Sequence, residues 1–207
     1  MTASSIYLTE DELDCLQELM NIAYGSATAA ITEILDAFAK LSIPKIQIIN
    51  SDELKSYLSS QINFSKEHFV SLQQINGPIS GENMFIIDKE SSKNIAYKFG
   101  LDEDEIDNDE ISDIVLEITN ILSSSTISKL AEDMSTKASF SPPTIKITNS
   151  VEDFDNIFIS NYKKIIIIST QLKFEDLNID GELIILTTDN SILHIKEKLN
   201  KILEAYN

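Results

Sequence analysis

Two residues of complementary chemistry recur at fixed spacing in this 207-residue chain. Glu18 and Asn21 stand with two residues between them, and Glu117 and Asn120 repeat the pair 99 positions later. The carboxylate is an ionised acceptor, whereas the carboxamide is neutral and both donates and accepts hydrogen bonds. Charge pairing and hydrogen-bond positioning are what such a pair can offer. Asp14 and Pro44 flank the first pair as Asp113 and Pro143 flank the second, with three, two and twenty-two residues between successive members. Aligned without a gap, residues 14–53 and 113–152 agree at 14 of 40 positions. An internal repeat of this kind governs the reading of everything around it.

Helix geometry places both pairs on one kind of surface. At 100° per residue, Leu13, Leu16, Met20, Ala23, Ala27, Ile31, Ile34 and Phe38 fall in one apolar stripe about 80° wide. Asp14, Glu18, Asn21 and Gly25 fall opposite it, so Glu18 and Asn21 are i,i+3 neighbours on an exposed face. Thr9 with Glu12 reads as a capping box that starts this helix. In the second copy Ile111, Val115, Ile118, Leu122, Leu130 and Met134 form the stripe, with Asp113, Glu117, Asn120 and Ser124 opposite. An exposed Glu and Asn are ordinarily just a solvated face. Asn, however, is a mediocre helix former, and it occurs here mid-helix twice behind the same Glu.

The pattern Asp/Ser, three residues, Glu, two residues, Asn, twenty-two residues, Pro resembles the signature of the CheC/CheX/FliY phosphatases of bacterial chemotaxis. Both copies are complete. The words ELMNIAYGSATAAITEIL and LEITNILSSSTISKLAE are similar to that family's helices, and the resemblance spans roughly residues 8–206. Two complete copies make the chain look most like CheC. One departure is mild: Gly25, usual after the first Asn, is matched by Ser124.

The resemblance implies a phosphatase acting on the aspartyl phosphate of a phosphorylated CheY-type response regulator. It implies that Asn21 and Asn120 orient the attacking water, and that Glu18 and Glu117 pair with the regulator's active-site lysine. Asp14 and Asp113 are expected to give local support, and Pro44 and Pro143 to end the helix-to-strand connection. No intrinsic cofactor or metal is implied; Mg2+ belongs to the regulator's own acidic pocket. A CheD-like deamidase is the other partner the family suggests. A non-catalytic adaptor of the chemotaxis or flagellar switch system is the competing class, and intact Glu and Asn in both copies favour the enzyme.

Composition sets the bounds. The net charge of −18 and pI of about 4.3 disfavour nucleic-acid and membrane-surface partners and suit a partner with a basic patch. The longest apolar run, Ile165–Ile168, is far too short to span a bilayer, and no basic, apolar signal segment opens the chain. A cytoplasmic protein is expected. Cys15 is the lone cysteine, which excludes an intrachain disulfide, and it reads as a helix residue. His68 and His194 belong to no metal-ligand spacing, and no phosphate-cradling loop motif is present.

The remaining segments extend the repeat. Strands are expected at Lys45–Asn50, His68–Gln74, Glu82–Ile87, Thr144–Asn149, Lys163–Leu172 and Glu182–Thr187. Short helices are expected near Asp52–Ser60 and Ser92–Phe99, the latter stopping at Gly100. Asn190 or Ser191 would cap a last helix with a stripe of Ile192, Ile195, Leu199, Ile202 and Tyr206. Three strands make a poor independent sheet. The expected fold is therefore α/β (α+β): two pseudo-symmetric helix-strand-strand-strand-helix repeats sharing one mixed, six-stranded sheet flanked by helices. A single CheC-like domain would cover 1–207, with repeat 1 at about 8–100, an acidic connection at about 101–109 and repeat 2 at about 110–207. The stretch Asp102–Asp113, eight acids in twelve residues, reads as a solvated linker that also places negative charge at the start of the second long helix, with a docking surface for a basic partner as the sharper alternative. With both motif helices in one polypeptide, a monomer is expected.

Overall fold

A computed structural model describes residues 7–154 and 163–206, with the side chains of 206 left out. Helix α1 (Glu10–Leu35) starts at the expected capping box: Glu12 N donates to Thr9 Oγ1 at 3.3 Å and Thr9 N to Glu12 Oε2 at 2.7 Å. Burial opposes ionisation of Glu12, but the Thr9 N–H and the Lys196 ammonium at 3.2 Å outweigh it and hold the carboxyl below its ordinary value. Its counterpart α4 (Asn108–Asp133) is capped by Asp107, whose Oδ1 accepts from the backbone N–H groups of Asp109 and Glu110. Both helices contain 26 residues, and both are followed by a left-handed residue, Asp36 (φ 44°) and Ser135 (φ 48°). The repeat is thus written in the backbone as well as in the side chains.

The buried stripe of α4 is the expected one. That of α1 runs through Leu16, Met20, Ala23, Tyr24, Ala27, Ile31 and Leu35. Ile34 and Phe38 do not belong to it, being 45% and 69% exposed. The left-handed turn at Asp36 ends the helix before Phe38, and Leu35 takes the inward position one turn after Ile31.

The strands are β1 (Lys40–Leu41), β2 (Lys45–Asn50), β3 (His68–Asn76), β4 (Gly81–Asp88), β5 (Ser139–Phe140), β6 (Thr144–Thr148), β7 (Lys164–Phe174) and β8 (Ile179–Thr187). They form one eight-stranded sheet in the order β1-β7-β8-β4-β3-β5, with β2 also on β7 and β6 also on β3. Every pairing is antiparallel, so the expected mixed sheet is corrected. The expected six strands become eight because each edge is broken in two. Pro44 and Pro143 lack the N–H a ladder needs, and they stand in the breaks between β1 and β2 and between β5 and β6.

The edges are exchanged between halves: β1 and β2 pair with β7 of the second half, and β5 and β6 with β3 of the first. Met84 and Ile184 face each other across β4 and β8; they lie 100 positions apart, where a pseudo-twofold axis would pass. Alternation along β7 divides two cores. Ile166 and Ile168 face the layer of α1, α4 and the C-terminal helix α5 (Asp189–Tyr206), whereas Ile165 and Ile167 face the layer of α2 (Leu54–Gln61). Helix α3 (Lys89–Lys98) ends at Gly100, where φ is +87°.

Helix α5 begins two or three residues earlier than expected. Thr188 rather than Asn190 or Ser191 caps it, since Ser191 N donates to Thr188 Oγ1 and Ile192 N to Thr188 O. Ile192, Ile195 and Leu199 are fully buried, Ile202 is half-buried, and the Tyr206 side chain lies outside the described residues. Between β6 and β7 a 3-10 turn covers Val151–Phe154; residues 155–162 lie outside the described residues.

Candidate active site on two helix faces

Asp14, Glu18, Asn21 and Gly25 are all exposed on α1, and Asp113, Glu117 and Asn120 are exposed on α4 beside a half-buried Ser124. The apolar stripe of each helix is committed to the core, so its polar face has to point outward. Among the described residues neither Glu18 nor Glu117 forms an ion pair. Each therefore presents an uncompensated carboxylate beside a carboxamide, which suits a cationic group on a partner.

Under each face the same serine ties an edge strand to its neighbour. Ser141, between β5 and Pro143, donates its N–H to Gln74 O (3.1 Å) and accepts from Gln74 N at Oγ (3.2 Å). Ser42, between β1 and Pro44, does the same with Gln171 at 3.0 and 2.9 Å. The two prolines thus follow a fixed clamp; Pro44 is buried and Pro143 half-buried. Strand register makes Gln73 on β3 the counterpart of Thr170 on β7, because Ile75 faces Phe140 as Leu172 faces Leu41. Thr170 Oγ1 donates to Ser42 O at 2.6 Å, as Gln73 Nε2 donates to Ser141 O at 2.9 Å.

Here the two faces part. Gln73 Nε2 also donates to Asn120 Oδ1 at 3.0 Å. Thr170 Oγ1 instead accepts from Ser42 Oγ at 3.1 Å, and among the described residues nothing hydrogen-bonds the Asn21 side chain. Sequence reasoning missed Gln73, which lies outside the aligned stretches and is matched by a different residue type. Ser42 and Ser141 could have been found, since they are among the positions at which the two copies agree.

Other chemistries lack their parts. Cys15 is half-buried, and burial pushes its thiol pKa up rather than making a ready thiolate. Among the described residues no group of three or more His, Cys, Asp or Glu side chains is placed to hold a metal ion, and no helix is long and apolar enough to cross a membrane. Asp14 and Asp113 stand one turn before the glutamates without a hydrogen-bond partner among the described residues.

The layer of α1, α4 and α5 covers one face of an antiparallel sheet with exchanged edges, and α1 and α4 each carry Glu and Asn on the outer surface. Residues 69–153 match the family model described as chemotaxis phosphatase CheX. The matched stretch contains Glu117, Asn120, Pro143 and Gln73, whereas α1 lies outside it. No curated protein matches the chain. Among solved structures, Thermotoga maritima FliY is similar at 22% identity and a TM-score of 0.72, covering 94% of this chain and 98% of that one. The FliM middle domain from H. pylori (13%, TM-score 0.62, 92% and 99%) and CheX from Desulfovibrio desulfuricans (12%, TM-score 0.53, 82% and 99%) share the fold.

Proposed function

We propose that this chain hydrolyses the aspartyl phosphate of a phosphorylated CheY-type response regulator, ending its signal. The observation that carries this reading is the doubled, outward-facing Glu-x-x-Asn pair, each set over the same serine clamp. Glu18 and Glu117 dock the regulator's active-site lysine; their lack of an internal cation supports that role. Asn21 and Asn120 reach into the phosphorylation site and hold a water in line with phosphorus. The water oxygen bonds to phosphorus, the bond from phosphorus to the aspartyl oxygen breaks, and inorganic phosphate and the aspartate carboxylate result. Catalysis of this kind is mostly positioning and electrostatics. The acidic pocket of the regulator supplies Mg2+, so this chain needs no cofactor of its own.

Likeness to the FliM middle domain supports a second reading, an adaptor that binds the regulator or another switch component without turnover. Phosphate release from a phosphorylated CheY-type receiver, with and without the full chain, separates the two. Accelerated release supports the phosphatase. Binding by titration without acceleration supports the adaptor and overturns the phosphatase.

A further inference from the structure

The two faces differ in one buried side chain. Gln73 is 1% exposed, and the sense of its amide is set by chemistry. The Ser141 carbonyl can only accept, so the Gln73 atom 2.9 Å from it is the NH2 nitrogen. That same nitrogen lies 3.0 Å from the Asn120 side chain, so the atom of Asn120 it meets is the acceptor Oδ1. Because a carboxamide is planar, anchoring Oδ1 also fixes the direction of Nδ2. Nδ2 makes no hydrogen bond among the described residues and stays free on the exposed face.

Holding Gln73 there is costly. Among the described residues its Oε1 is buried without a partner, as are both polar side-chain atoms of Asn83, which faces Gln73 across β3 and β4. Unpartnered buried polar atoms destabilise a fold. The equivalent pair in the other half, Thr170 and Leu183, has no such deficit: the Thr170 hydroxyl is bonded and Leu183 is apolar. A core that would be better satisfied with apolar residues, yet keeps a glutamine aimed at one motif asparagine, carries an orienting element.

We propose that Gln73 is the positioning residue of Asn120, so that the α4 site is preorganised and the α1 site is not. The inference rests on the phosphatase reading for its kinetic consequence and on geometry alone for its structural one. Gln73 belongs to the first repeat and Asn120 to the second, brought together by the exchanged edge strands. A group held in its reactive orientation saves the transition state the ordering that a free rotor must undergo.

The test uses Gln73→Met in the full chain, which keeps side-chain length and removes the donor. With Asn21→Ala leaving only the α4 site, Gln73→Met should lower kcat about tenfold while KM holds. With Asn120→Ala leaving only the α1 site, the same substitution should add nothing, so the two changes are non-additive only through Asn120. An equal loss in both backgrounds would mean a general effect on the fold and would overturn the proposal, as would no loss in the first. Side-chain amide NMR decides the structural half without any activity: Gln73→Met should shift the Asn120 Nδ2 resonances and leave those of Asn21 in place. Unmoved Asn120 resonances overturn the positioning. Moved resonances in a chain that releases no phosphate uphold the positioning and sink the phosphatase reading.

Discussion

The α1 and α4 sites share a backbone frame and differ in what lies beneath the asparagine. Ser42 and Ser141 make the same three ties to the neighbouring strand. At the register position that Gln73 holds, the other half has Thr170 beside Leu183, a short hydroxyl and an aliphatic side chain with every polar atom bonded. Beneath Asn120 stands Gln73 beside Asn83, two amides with three polar atoms unpartnered among the described residues. One half is built for a settled core, the other for a directed side chain. The contrast shows that an internal repeat can keep its chemistry-bearing letters while the support for them diverges.

The largest effect tests the chemistry common to both. Asn21→Ala with Asn120→Ala should lower phosphate release by about a hundredfold or more, the usual loss for one positioned transition-state group. The fold should hold, because both side chains are exposed. Of the single variants, Asn120→Ala should remove the larger share. Unchanged release from the folded double variant would end the mechanism, and equal shares from the singles would erase the contrast.

A smaller effect runs in the opposite direction. Thr170→Gln supplies the α1 site with the amide it lacks, at the register position of Gln73. With Asn120→Ala in the background, the substitution should raise turnover through Asn21 by about fivefold. A steady-state assay of the double variant checks it; no gain would place the difference between the sites elsewhere.

Much of the frame was legible in the sequence because a repeat of identical letters carries its own geometry. The capping box at Thr9, the outward Asp, Glu and Asn of both helices, the strand positions and the sharing of one sheet all follow from local chemistry and period. Three features were not legible. The broken edges depend on Pro44 and Pro143 meeting a ladder, which only strand pairing reveals. The early end of α1 depends on Asp36 adopting a left-handed conformation, and its side chain does not announce that. Gln73 depends on the exchange of edge strands between halves, a long-range fact that no window of sequence contains.

The opposite face of the sheet carries a second comparison, between Glu82 and Glu182, each after a glycine and 100 positions apart. Burial pushes the Glu182 carboxyl up to about 7, with Asp180 adding to the rise and Lys45 and Lys173 opposing it. The folded chain therefore holds this proton more tightly than the unfolded one. Stability is greatest below the unfolded value near 4.5 and declines as pH rises toward 7, after which this contribution is flat. Discounted for partial exposure, the decline should be about 1 kcal/mol. Glu182→Gln should flatten melting temperature between pH 5 and 8 and exceed the parent at pH 8. A parent with the same slope as the variant would show that Glu182 is not the titrating group.

Gly25 makes the finest distinction between the sites. It lies one turn beyond Asn21 in mid-helix, where Gly is poorer than Ala by about 0.5–1 kcal/mol. A Cβ built there would meet nothing within 4 Å among the described residues, so none of them requires the glycine. Its counterpart Ser124 carries a side chain and donates its hydroxyl to Ile121 O at 3.3 Å. The clearance at Gly25 is therefore useful only to something that approaches from outside. Gly25→Ala should raise the melting temperature by a few degrees, the effect of about 0.5–1 kcal/mol in a domain of this size. It should also weaken regulator binding through the α1 face when Asn120→Ala and Glu117→Lys disable the α4 face. The reverse change, Ser124→Gly, should destabilise the fold slightly and leave binding at α4 unchanged, since that site already works around a side chain. If Gly25→Ala stabilises the chain and titration finds its binding intact, the glycine has no part in docking, and the two faces differ only in the amide beneath them.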